Sequence, residues 1–119
     1  MLKLSAPKNK LLKGVLEIPS SKSISNRALI IRALCNEKID LENLSISDDT
    51  QILNKALQQI KTYNKEKPLT IDIGLAGTAF RFLTAFLATQ KGEYILTGAH
   101  RIQERPIKPL VDALKQNHI

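Results

Sequence analysis

Two stretches of this 119-residue chain pass through the same succession of patterns, 55 residues apart. Gly14-Val-Leu-Glu-Ile18 reads as a short strand that stops at Pro19. Residues 23–35 then carry Ile24, Ala28, Ile31 and Cys35 at helical spacing. Lys38-Ile-Asp-Leu-Glu-Asn-Leu44 alternates again, and Ser47 or Asp48 caps a second helix with the apolar stripe Ile52, Leu53, Ala56, Leu57, Ile60. After a polar, lysine-rich connection at 63–68 the succession restarts. Leu69–Ile73 reads as a strand, Gly74-Leu-Ala-Gly77 as a turn, and Thr78–Thr89 as a helix apolar nearly all round and therefore buried. Glu93–Thr97 follows as a strand, and Pro106 suits the first turn of a last helix through Leu110, Val111 and Leu114. The helix at 24–35 is echoed at 79–90 and the strand near Asp40 is echoed near Ile95. Such a repeat predicts an α/β (α+β) fold built from a duplicated supersecondary unit.

Several classes are disfavoured by composition. No apolar run approaches the roughly 18 residues of a membrane span, and Met1-Leu-Lys-Leu-Ser-Ala-Pro7 lacks the apolar core of a signal peptide. The single cysteine, Cys35, excludes an internal disulfide and reads as a buried packing residue; the cytoplasm is the expected compartment. The net charge of +7 is uneven: residues 1–38 carry eight Lys/Arg against Glu17 and Glu37, whereas 39–119 carry ten against nine acids. A basic end suits an anionic metabolite or nucleic acid. The few aromatics argue against a stacking-based nucleic-acid surface, so no nucleic-acid partner is expected.

The chemistry concentrates where helices begin. Pro19-Ser-Ser-Lys-Ser-Ile-Ser-Asn-Arg27 places Lys22, Ser23 and Arg27 in the first turns of a helix, with Ser23 and Arg27 on one face. A helix N-terminus carries unpaired N–H groups and about half a positive charge, so this cluster suits phosphate or carboxylate. The same residues also suit a Ser-capped surface helix with solvated basic side chains. The second unit repeats the arrangement with Gly77 and Arg81, and a side chain at Gly77 would intrude on a ligand approaching the backbone. Arg101 and Arg105, four apart, could clamp a carboxylate or lie exposed beside Glu104. Asp48 and Asp49 read as helix-start caps as readily as a carboxylate pair. His100 and His118 have no partners at ligand spacing, so neither a metal nor another cofactor is expected.

In register, Pro-Ser-Ser-Lys-Ser-Ile-Ser-Asn-Arg-Ala-Leu (19–29), Ser-Asp-Asp-Thr (47–50), Ala-Gly-Thr-Ala-Phe-Arg (76–81), Leu-Thr-Gly (96–98), Arg-Ile-Gln-Glu-Arg-Pro-Ile (101–107) and Leu-Val-Asp-Ala-Leu (110–114) resemble the N-terminal part of the EPSP synthase family. The resemblance covers almost the whole chain. It implies transfer of the enolpyruvyl group of phosphoenolpyruvate to the 5-hydroxyl of shikimate 3-phosphate, through a tetrahedral adduct, with release of phosphate. It further implies that Lys22 touches both substrates, that Ser23 and Arg27 hold shikimate 3-phosphate, and that Gly77 and Arg105 hold phosphoenolpyruvate. Asp49 would support the chemistry by orienting the cationic groups.

The implied fold is one of two lobes made of repeated βαβαββ-type units, of which residues 19–119 form a partial first lobe. Residues 1–18 would be strands that normally pair with the second lobe. A chain of this extent is expected to be inactive alone and prone to self-association through uncovered apolar edges. Two departures stand out: Leu75 where the family usually has Asn, and Ser20 where Gly is common. Two other readings remain. One is the related UDP-N-acetylglucosamine enolpyruvyl transferase, disfavoured by Ser25-Asn-Arg27. The other is a small basic RNA-binding domain, which would show steeply salt-dependent RNA affinity.

Overall fold

The computed structural model describes residues 2–5, 8–9, 11, 13–35 and 37–119. Five helices and two strands follow in the order α1 (Lys22–Leu34), α2 (Asp48–Thr62), β1 (Leu69–Asp72), α3 (Gly77–Ala88), β2 (Tyr94–Thr97), α4 (His100–Gln103) and α5 (Lys108–Gln116). β1 and β2 pair in parallel, Leu69 opposite Tyr94 and Asp72 opposite Thr97, with α3 as the crossover between them. Ile71 and Ile73 point into the core while Thr70 and Asp72 face outward, the period of two that the sequence predicts. The α/β reading therefore holds.

The core sits where α3 meets α2 and the inner face of the sheet. Leu53 of α2, Ile71 and Ile73 beside β1, and Leu83 of α3 are at most 1% exposed. Burying each such side chain stabilises the fold by about 1.5–3 kcal/mol relative to leaving it in water. The α2 stripe is buried as its spacing predicts, with Leu53, Ala56 and Leu57 inside and Ile52 and Ile60 half-buried.

α1, α2 and α3 run in the same sense, since Arg32 and Ala33, Gln58 and Lys61, and Phe86 and Gln90, at or just past their C-terminal ends, border one cavity. Lys22 meets Asp49, Asn26 meets Thr50 and Arg32 meets Asn54, so α1 and α2 advance together. Between α1 and α3 lies a groove of about 410 Å³. Arg27, Ile30 and Leu34 line one wall while Phe82, Ala85 and Thr89 line the other, each pair 55 residues apart. The two helices have nearly equal lengths, 13 and 12 residues, so their starts lie at the same end.

Four expectations fail. Residues 14–18 and 38–44 form no strand among the described residues, because a strand exists only against a hydrogen-bonded neighbour and none lies beside them. Val15, Leu16 and Ile18 are 88–96% exposed, whereas Leu41 and Leu44 pack against the core without a ladder. α1 does not bury the face of Ile24 and Ile31, which are mostly exposed; it turns Ser25, Asn26 and Leu29 inward. This helix is apolar on more than one side, so spacing alone does not select the buried face. Cys35 is likewise exposed, at the helix C-cap. Finally, α5 begins at Lys108 with Pro109 in its first turn, leaving Pro106 in the preceding bend.

Candidate functional site

Three helix N-termini lie at one end of the molecule. α1 is capped by Ser21, whose Oγ accepts from the Ile24 N–H at 3.4 Å. α2 follows Ser47 and α3 follows Ala76, and neither receives a side-chain cap to its backbone. First-turn N–H groups of such helices need an acceptor from water or a ligand. Each parallel helix adds its share of positive potential to the same end.

The cationic side chains are fixed there by neighbours. Arg27 donates from Nη1 to Ser23 Oγ at 2.7 Å, joining the two residues expected to share a face. Lys22 Nζ lies 3.6 Å from Asp49 Oδ2, a half-exposed pair bridging the starts of α1 and α2. Asp49 and Asp48 occupy the first turn of α2, where carboxylates offset the helix dipole. Asp49 thus lies beside Lys22 at the start of α1.

Arg105 reaches the start of α3 by a longer route. After β2 the chain bends at Gly98, where an added Cβ would stand 2.7 Å from the Gly74 carbonyl oxygen. Only a glycine lets the turns at the ends of the two strands approach this closely. Ala99 then donates its N–H to that carbonyl at 2.9 Å, and Gln103 Nε2 donates to Gly98 O at 3.0 Å. These bonds hold α4 against the strand ends, and Arg105 leaves it to lie over Gly77. A Cβ on Gly77 would overlap the Arg105 guanidinium, with Cζ 2.8 Å away. The glycine and the arginine therefore meet.

Arg81 has a different place from the one its position in the repeat implies. Its Nη2 donates to the Pro106 carbonyl at 3.2 Å, so it braces the bend that carries Arg105. No sequence signal reveals that contact. Arg101 is exposed on α4, and Glu104 pairs with His100 Nδ1 at 3.5 Å rather than with an arginine. Leu75 is 66% exposed in the turn before Gly77. Among the described residues no group of three His, Cys, Asp or Glu side chains could hold a metal, and no helix is long and apolar enough to cross a membrane.

Parallel strands crossed by a helix, with three helix N-termini and anchored cations at one end, define an α/β unit with a cationic end. The sequence model of EPSP synthase (3-phosphoshikimate 1-carboxyvinyltransferase) matches residues 7–119, and the chain belongs to that family. A 3-phosphoshikimate 1-carboxyvinyltransferase of Bacteroides fragilis is 50% identical over 113 residues, covering 95% of this chain and 25% of the relative. Proteins of the same name from Colwellia psychrerythraea and Bordetella petrii are 43% and 40% identical, over 87% and 95% of this chain and 29% of each relative. The chain thus spans between a quarter and a third of the length of these relatives.

Proposed function

We propose that this chain supplies one wall of the site at which a 3-phosphoshikimate 1-carboxyvinyltransferase moves the enolpyruvyl group from phosphoenolpyruvate to shikimate 3-phosphate. The carrying observation is that α1 and α3 start at the same end, with Lys22, Ser23 and Arg27 on one and Gly77 beneath Arg105 on the other. Two strongly anionic substrates bound side by side need this arrangement of paired cationic helix starts. Ser23 and Arg27 take the 3-phosphate of shikimate 3-phosphate. Gly77, through its backbone, and Arg105 take phosphoenolpyruvate, with the guanidinium forking onto the carboxylate. Lys22 stands between the two ligands and Asp49 holds it there.

The opposite wall, and most of the acid–base chemistry, belongs to the remaining length seen in the relatives. Residues 1–18 then pair with the second lobe, which accounts for the exposure of Val15, Leu16 and Ile18. Without that cover the chain self-associates through these apolar surfaces. The cytoplasm is the compartment of such a pathway enzyme.

A two-dimensional NMR titration of the chain tests the reading. Shikimate 3-phosphate shifts the amides of 22–27 and 49, phosphoenolpyruvate shifts those of 76–79 and 105, and shikimate, lacking the phosphate, moves neither set. Shifts scattered over other faces, or none at millimolar ligand, refute it. The chain alone shows no turnover; steady product formation by the purified 119 residues would contradict the assignment of half a site.

A further inference from the structure

Beneath the exposed Lys22–Asp49 pair runs a buried polar network. Asn26 on α1 is fully buried, and its Oδ1 accepts from Thr50 Oγ1 at 2.8 Å; Thr50 is itself 1% exposed. Thr50 Oγ1 also lies 3.1 Å from the hydroxyl of Ser47, the N-cap residue of α2. One residue earlier on α1, Ser25 Oγ accepts the Ser45 N–H at 2.9 Å, and Ser45 Oγ accepts the Ser47 N–H at 3.2 Å. Five side chains, from α1, from the approach to α2 and from α2 itself, therefore tie the first turns of both helices together. Leu29, three residues beyond Asn26 on the same face, makes the neighbouring contact with hydrocarbon alone.

This network is not the most stable filling of the space. Asn26 Nδ2 is buried and has no hydrogen-bond partner among the described residues. A buried donor without an acceptor costs free energy that an apolar side chain would avoid. A contact worth only its packing would not need the amide. What the amide does, and leucine cannot, is fix α1 and α2 in a single register through a directional bond to Thr50. Lys22 lies four residues before Asn26 on the same face, and Asp49 immediately precedes Thr50. The buried bond and the surface ion pair span the same two helices one turn apart.

We propose that Asn26 and Thr50 are positioning residues: their buried bond sets the register that holds Lys22 against Asp49 and so aims the Lys22 ammonium into the substrate site. The ligand half of this proposal rests on the function proposed above; the register half does not. Asn26 and Thr50 touch no substrate and act through Lys22.

The test compares Asn26→Leu, Thr50→Val and Thr50→Ser with the unaltered chain, by thermal unfolding, by NOEs between the Lys22 and Asp49 side chains, and by titration with shikimate 3-phosphate. Asn26→Leu and Thr50→Val are expected to remain folded, to lose the Lys22–Asp49 NOEs, and to bind shikimate 3-phosphate about tenfold or more weakly; Thr50→Val also melts lower, because Asn26 Oδ1 loses the donor it accepts from. Thr50→Ser keeps the hydroxyl and restores both the NOEs and the affinity. Retained NOEs and unchanged affinity in folded Asn26→Leu or Thr50→Val overturn the proposal. So does a parallel loss of stability and binding that Thr50→Ser fails to rescue, since that is the signature of a structural role alone. If the unaltered chain binds no shikimate 3-phosphate, the substrate reading fails while the NOEs still decide the register.

Discussion

Replacing Gly77 by alanine separates the binding role of this residue from its structural one. Gly77 is the first residue of α3 and has helical backbone, so the added methyl meets no conformational penalty and stabilises the helix by up to about 1 kcal/mol. The obstacle is the Arg105 guanidinium. Its Cζ would stand 2.8 Å from the new carbon and must retreat to ordinary contact, while Nη1, which the methyl overlaps, must leave. Arg105 is exposed and its side chain rotates freely enough to do so without disturbing the core. Stability is therefore expected to change by less than about 1 kcal/mol. Phosphoenolpyruvate meets a different outcome, because a charge-assisted bond of 2.7–2.9 Å does not survive a displacement of about 1 Å. Losing such a bond costs about 1.5–3 kcal/mol, a weakening of roughly 10- to 100-fold. Urea unfolding and an NMR titration with phosphoenolpyruvate measure the two effects on one sample. Since both substitutions act on one guanidinium, Gly77→Ala combined with Arg105→Ala should be scarcely worse than Arg105→Ala alone. Unchanged phosphoenolpyruvate affinity in Gly77→Ala, or full additivity with Arg105→Ala, would refute the pairing of these residues over one ligand.

Two further outcomes follow from the same structure. Leu75→Asn places an amide in the exposed turn before Gly77, at little cost in stability. It should tighten phosphoenolpyruvate binding by about 2- to 10-fold, the worth of one hydrogen bond; an unaltered titration curve would mean that the turn does not face the ligand. At the far end of the sheet, burial and then the neighbouring Tyr63 hydroxyl raise the Tyr94 pKa above 10.0. A phenol whose folded pKa is raised keeps its full contribution below the unfolded pKa and loses it as the pH climbs through the folded value. Stability should fall on going from pH 9 to 11, and Tyr94→Phe should flatten that slope; equal slopes in the two proteins would contradict the assignment.

The longer helices were legible in this sequence, the short α4 was not, and half of the expected strands do not form, for one physical reason. α2 can be read from its own residues because its stripe of Leu53, Ala56 and Leu57 repeats every turn and its hydrogen bonds close within the element. Leu69–Asp72 becomes a strand only because Tyr94–Thr97 arrives beside it after the α3 crossover. Gly14–Ile18 shows a strand pattern equally well, yet nothing among the described residues accepts its backbone bonds. Local pattern thus reports capacity for pairing, and pairing itself depends on distant chain. The face of α1 fails for a related reason. Ala28, Leu29, Ile30, Ile31, Ala33 and Leu34 give it apolar residues on most sides, and only the position of α2 decides that Asn26 and Leu29 go inward.

The site follows the same division. Lys22, Ser23 and Arg27 were visible because a helix start makes them neighbours by construction, and Ser23–Arg27 is an i, i+4 contact. Gly77 and Arg105, 28 residues apart, meet only because Gly98 lets one turn close on another and Arg81 braces Pro106. This difference predicts unequal sensitivity. Substitutions remote from the ligand that loosen the 98–106 segment displace Arg105 and spare Arg27, whose anchor lies one helical turn away. On the proposed assignment, affinity for phosphoenolpyruvate should therefore depend on tertiary contacts in a way that affinity for shikimate 3-phosphate does not. The buried Asn26–Thr50 bond makes Lys22 intermediate between them: local in sequence, but aimed by a second helix.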